Sequence, residues 1–145
     1  MKIVYADIVG DLFHYGHMEF LRKCKEKGDY LIVGVTSDDV VTSYKRKPIM
    51  SCEERCKSIL GCKYVDKVIP NALCPIDESF LNKNNIDIVI HADDMSDKDF
   101  NYWYKVPIKL NKFETVSYTK GISTTEIINL LKTRIKDDLL NIITH

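Results

Sequence analysis

The sequence predicts an α/β fold: a single domain built on a parallel sheet with helices on both faces. Apolar runs of strand length alternate along the chain with segments of helical period, the pattern left by the crossover connections of a parallel sheet. One run, "YLIVGVTS" at 30–37, is continuously apolar, as suits a strand buried on both faces. Two Ser-x-x-Glu sequences, at 51–54 and 123–126, mark helix starts. At 145 residues the chain suits one domain, 1–145, with room for a sizeable core.

Each element follows in order. "KIVYADI" (2–8) reads as the first strand. Residues 17–27 read as a helix with Phe20, Leu21 and Cys24 on one face and Gly28 as its stop. Residues 30–37 form the second strand. Ser51 and Glu54 open a helix whose face carries Cys52, Cys56, Ile59 and Leu60. "VDKVI" (65–69) is a short third strand, 77–83 a short helix, and "IDIVIH" (86–91) a fourth strand. "VPIKL" (106–110) is expected to be the fifth. "STTE" (123–126) opens a long helix with Ile128, Leu131, Ile135 and Leu139 on one stripe.

Lysine plus arginine and aspartate plus glutamate number 21 each, so the formal net charge is zero. That balance argues against holding nucleic acid by an overall field; "YKRKP" (44–48) is the densest local basic patch. No charged-then-apolar leader and no run of membrane-spanning length is present, so a soluble, cytoplasmic protein is expected. The five cysteines lack CxxC spacing and read as free thiols of a reducing compartment. Cys52 and Cys56 share a helix face but read as small core residues, and no metal-ligand set is assigned.

Parallel sheets of this kind bind ligands beyond the carboxyl ends of their strands. Segments 8–17, 91–95 and 118–125 lie there. In "DLFHYGH" (11–17), His14 and His17 are three residues apart at a helix start, on one side of a turn. Gly16 between them lets a ligand approach the backbone, and the helix start adds unpaired N–H groups and a positive dipole end. Such a site suits a phosphate whose charge rises during reaction, as in phosphoryl and nucleotidyl transfer. The same spacing also suits two half-exposed histidines at an ordinary helix start.

"VYADIVGDLFHYGH" together with "GISTTEI" resembles the cytidylyltransferases that make CDP-choline, CDP-ethanolamine and CDP-glycerol, within the HxGH nucleotidyltransferases. "YLIVGVTSDD", "KYVDKVIPNA", "NIDIVIHADD" and "GISTT" stand in the family's order. The resemblance implies a Rossmann-like domain with strand order 3-2-1-4-5, a homodimer, and magnesium with CTP as co-substrate. It implies transfer of a cytidylyl group from CTP to a small phosphorylated alcohol (ethanolamine phosphate, glycerol 3-phosphate or similar), with release of pyrophosphate. An adenylyltransferase using ATP, or a nucleotide-binding protein that has lost turnover, are the alternatives.

Carried over by position, the resemblance implies that His14 and His17 bind the triphosphate and stabilise the transition state at the α-phosphate. Lys45 grips the acceptor phosphate and the α-phosphate. Ile8, Val9, Gly10 and Asp11 occupy the phosphate loop, with Asp11 orienting it. Arg55 matches an arginine facing the site, and Asp93 or Asp94 the acid that contacts the nucleotide, beside the strand-end His91. Gly121, Ile122, Ser123 and Thr124 match the loop around cytosine and the outer phosphates. The chain departs from the family in places. Gly10 is displaced by two positions, and Cys74 stands where choline enzymes carry a tryptophan. Choline phosphate is therefore expected to be a poor acceptor, unless Tyr102, Trp103 or Tyr104 substitutes. Tyr118 replaces an arginine that contacts the triphosphate and Lys120 replaces a glutamate, so Lys120 is expected to take over part of that contact.

Overall fold

A computed structural model describes residues 1–144; His145, the last residue of the expected domain, lies outside them. The elements in chain order are β1 (Ile3–Ile8), α1 (Tyr15–Lys25), β2 (Tyr30–Val35), α2 (Asp38–Thr42), α3 (Cys52–Leu60) and β3 (Lys67–Pro70). There follow α4 (Glu78–Lys83), β4 (Ile88–Ala92), α5 (Asp97–Trp103), α6 (Lys105–Lys109), β5 (Phe113–Val116) and α7 (Thr124–Thr144). All pairings are parallel and the strand order is 3-2-1-4-5, as the sequence predicts.

Alternation along β1 divides the core in two. Val4 and Ala6 join Leu21 and Cys24 of α1 and Ile59 of α3 on one face of the sheet. Tyr5 joins Ile76, Leu81 of α4 and Tyr104 on the other. Both faces of β1 and β2 are thereby covered, which is why "YLIVGVTS" carries no polar alternation.

The expected fifth strand is corrected. Residues 106–110 fall in α6 and its C-cap, and the strand is Phe113–Val116, paired with β4. "VPIKL" alternates apolar and polar residues, but five residues are too few for periodicity to separate strand from helix. Pro107 sits in the first turn of α6, where a missing N–H breaks no helical bond. The first helix starts two residues earlier than expected, at Tyr15, for a reason that belongs to the site. Three residues of the α7 stripe are exposed: Leu131 is 51% exposed, Ile135 66% and Leu139 57%.

Leu21 is fully buried between α1 and the sheet. Leu21→Ala is expected to cost about 2–5 kcal/mol of stability, from lost transfer energy plus the cavity, read as a lower urea midpoint with unchanged slope.

Candidate active site

The site begins with a helix cap made of imidazoles. His14 is the N-cap of α1, in extended conformation at φ −136° and ψ 179°. Its Nδ1 accepts the Gly16 N–H at 3.0 Å, and the Nδ1 of His17 accepts the His14 N–H at 3.1 Å. This is the reciprocal geometry of a capping box, with two histidines in the places of Ser and Glu. It satisfies backbone donors that a helix start would otherwise leave bare.

The cap also fixes the chemistry of the rings. A nitrogen that accepts an N–H cannot carry a proton, so each neutral ring is the Nε2–H tautomer. Burial lowers the pKa of His17 to about 4, with the neighbouring His14 ring adding to the effect. Burial also lowers that of His14. Both rings are therefore neutral N–H donors at physiological pH. The His14 Nε2 lies 3.3 Å from the Thr124 Oγ1, and that hydroxyl donates to the Asp11 carbonyl at 2.9 Å. Tautomer and hydroxyl thus form one directed chain from α1 through α7 to the loop after β1. The two ring centroids are 3.8 Å apart, too close for two imidazolium charges to coexist cheaply.

The cavity over these rings has a volume of about 330 Å³, enough for a small ligand. Its floor is the end of β1 and the turn after it: Ile8, Val9, Gly10 and Asp11. Gly10 has φ +69°, and a Cβ there would come within 2.6 Å of the Ile59 side chain, so the displaced glycine is required where it stands. Gly16 also lines the cavity, and a Cβ on it would meet the His14 ring at 2.9 Å. Lys45 and Arg46 line one wall, and His91 and Asp94 another. The third wall is Tyr118, Ile122 and the first turn of α7, with Ser123, Thr124 and Thr125. Ser123 Oγ accepts the Glu126 N–H at 3.1 Å, the cap expected from "STTE".

Four of the expected residues lie outside this lining: Arg55, Asp93, Lys120 and Gly121. Arg55 is fully buried and its guanidinium is consumed by the protein. It donates to the carbonyls of Val9 at 2.7 Å, Thr36 at 2.9 Å and Met50 at 3.1 Å, and pairs with the Asp38 carboxylate at 2.5 Å. It therefore positions the loops after β1 and β2 rather than facing a ligand. Asp93 accepts the Tyr118 N–H at 2.8 Å and so anchors the wall from behind. Of the two acids, Asp94 is the one that lines the cavity. Asp11 spends both oxygens on the amides of Ile49 and Met50, at 2.8 and 2.9 Å, tying down the loop that bears Lys45.

Lys45 is exposed as a residue, yet partial desolvation within the cavity lowers its pKa, with Arg46 beside it adding to the effect. Two of the lining residues, Arg46 and Thr125, drew no attention in the sequence because a basic loop and a capped helix are each commonplace. Only the fold brings them together.

A second, smaller cavity of about 90 Å³ shares Ile8 and Val9 with the first. Tyr44, Trp103 and Tyr104 give it aromatic walls, Cys74 and Met95 complete the sides, and Asp7 reaches it from β1. Tyr102 instead lies 61% exposed with its ring against Trp103. Asp7 is only 8% exposed; burial raises its pKa, while a 2.6 Å hydrogen bond from the Tyr104 hydroxyl and the nearby His91 oppose the rise.

Among the described residues no cluster of three or more His, Cys, Asp or Glu could hold a metal. The lining fits magnesium only as a companion of phosphate oxygens, with Asp94 as the one cavity carboxylate whose oxygens are not already spent on amides. Magnesium usually takes that arrangement, keeping waters and one or two carboxylates beside substrate phosphates.

Sheet order and cavity define a doubly wound α/β domain with its pocket at the carboxyl ends of β1 and β4. The cytidylyltransferase-like family model matches residues 11–130, so the chain belongs to that family. It is 36% identical over 140 residues to the ethanolamine-phosphate cytidylyltransferase of Dictyostelium discoideum, covering 96% of this chain and 39% of that protein. It is 40% identical over 134 residues to a probable ethanolamine-phosphate cytidylyltransferase of Encephalitozoon cuniculi, covering 90% of this chain and 42% of that protein. The choline-phosphate cytidylyltransferase of Saccharomyces cerevisiae is 39% identical over 128 residues, 86% of this chain and 30% of that protein. The chain thus spans less than half the length of these relatives. A lipopolysaccharide core biosynthesis protein from Thermoplasma volcanium superposes with a TM-score of 0.69 at 27% identity, covering 83% of this chain and 99% of that one.

The depressed pKa of His17 makes stability fall with acidification. The unfolded ring binds a proton below about pH 6.5 and the folded one only below about 4, so between those values the unfolded state gains protons and stability rises with pH. His17→Gln is expected to flatten the slope of melting temperature against pH across that window. An unchanged slope would contradict the assigned burial of the ring.

Proposed function

We propose that this chain catalyses cytidylyl transfer from CTP to a small phosphorylated amino alcohol, giving a CDP-alcohol and pyrophosphate. The observation that carries the proposal is that His14, His17, Lys45 and the first turn of α7 line one cavity. An acceptor phosphate oxygen attacks the α-phosphorus as the bond to the bridging oxygen of pyrophosphate breaks. Negative charge grows on the α-phosphate and on the leaving group, and fixed neutral donors with a lysine stabilise that charge without reorganising. Lys45 holds the acceptor phosphate against the α-phosphate as a movable point charge. The hydroxyls and first amides of α7 receive the outer phosphates. Asp94 would hold magnesium if it were bound with the triphosphate, and the ion would supply charge neutralisation there.

The small cavity supports the acceptor class. A buried carboxylate with three aromatic neighbours suits an ammonium group, which forms a charge-assisted hydrogen bond with the acid and lies against ring faces. A primary ammonium can donate to Asp7; a quaternary one cannot, and the cavity is small. Glycerol 3-phosphate offers Asp7 no charge at all. A homodimer, CTP as the nucleotide and a cytoplasmic setting belong to the same proposal. The uncovered stripe on α7 supports association with another surface. No helix among the described residues is long and apolar enough to cross a membrane.

Pyrophosphate release with CTP is the test. Ethanolamine phosphate is expected to be the best acceptor, choline phosphate weaker and glycerol 3-phosphate weakest; glycerol 3-phosphate as the best acceptor would overturn the acceptor assignment. His14→Ala and His17→Ala should each lower turnover by about 100-fold or more, as the loss of one preorganised donor of about 3 kcal/mol does. Near-normal turnover in either would overturn the site.

A further inference from the structure

We propose that Arg46 is the guanidinium that grips the outer phosphates of the nucleotide, closing the wall between the Lys45 loop and α7. The inference rests on the reading that the cavity receives a nucleoside triphosphate, and adds to it a residue that "YKRKP" presents only as a basic patch.

Several observations converge on Arg46. Its side chain crosses from the loop after α2 to the start of α7, where its Nη1 donates to the Thr125 hydroxyl at 3.1 Å. That one bond uses one of five N–H donors. No carboxylate pairs with Arg46 in the structure: among the described residues the arginine ion pairs belong to Arg22 and Arg55. Neither acid of the cavity forms an ion pair with it: both oxygens of Asp11 accept amides, and the pairing of Asp94 is with His91, at 3.7 Å. The lining therefore carries two adjacent cations, Lys45 and Arg46, beside a helix start bearing three hydroxyl side chains.

The wall of Tyr118, Ile122 and the start of α7 carries no cation of its own: Tyr118 offers a phenol, and Lys120 lies outside the lining. A triphosphate brings several negative charges, and the departing pyrophosphate gains more. A planar fork at the start of a helix meets two phosphate oxygens at once, which a lysine cannot do. Because Arg46 is bonded to Thr125, in the α7 turn assigned to the outer phosphates, its contact falls on those phosphates.

The experiment is direct binding, by calorimetry, of CTP, CMP, ATP, AMP and inorganic tripolyphosphate to the whole chain and to Arg46→Ala, Arg46→Lys and Lys120→Ala. Arg46→Ala is expected to weaken CTP and tripolyphosphate by about 10- to 100-fold, as loss of a charge-assisted contact does. CMP affinity should move by less than about 2-fold, and Arg46→Lys should recover part of the loss. Equal weakening of CTP and CMP would assign Arg46 a structural role and overturn the proposal. So would unchanged CTP affinity, or a loss confined to Lys120→Ala. If the unaltered chain binds ATP and not CTP, the cytidylyl reading fails while the Arg46 effect is still read from the ATP and AMP pair. Absence of binding to every polyphosphate would overturn both.

Discussion

The site depends on two backbone amides bonded to imidazole nitrogens. By accepting the N–H groups of Gly16 and His14, the Nδ1 atoms of His14 and His17 start helix α1, fix both tautomers and set the rings 3.8 Å apart. Helix initiation and preorganisation of the donors are thus a single structural event. Neither ring has to change tautomer before a phosphate arrives, and little reorganisation is what makes fixed donors effective. The same geometry sets a cost, because burial makes both rings harder to protonate, and the neighbouring His14 adds to the effect at His17.

Around that cap, three charged groups are spent on backbone. Asp11 holds the amides of Ile49 and Met50, and Asp93 holds that of Tyr118. Arg55 collects three carbonyls and one carboxylate. Each fixes a loop that has no sheet partner of its own, and the two that are buried, Asp11 and Arg55, are satisfied by hydrogen bonds, as a buried charge must be. The groups that remain available to a ligand, Lys45 and Arg46, ride on the loop those anchors immobilise. Asp7 differs: its partner is the phenol of Tyr104, and it faces the smaller cavity.

Much of the fold is legible in the sequence. The continuous apolar run at 30–37, the two Ser-x-x-Glu caps and the regular alternation specify a parallel sheet, since each rests on local physics. The fifth strand is not legible: "VPIKL" and "FETV" are both short, and the choice between them is made by pairing with β4, which lies outside any local window. The start of α1 is missed by two residues because histidine is not an expected N-cap. In the site, His14 and His17 stand out by their spacing, while Lys45 and the "GISTT" segment stand out through the resemblance to the family. Arg55 stands out too, but sequence cannot tell an arginine facing a ligand from one buried among carbonyls. Arg46 is overlooked for the opposite reason: its meaning arises from Thr125, 79 positions away.

The most direct test of this account is the protonation of the two imidazoles, observed by nitrogen NMR on histidine-labelled protein at neutral pH. The account predicts that both rings are neutral, with a proton on Nε2 and none on Nδ1, and that the His17 ring stays so until the pH approaches about 4. An imidazolium, or a proton on Nδ1, in either ring at neutral pH would contradict it, because the amide that caps the helix would then face a donor instead of a lone pair.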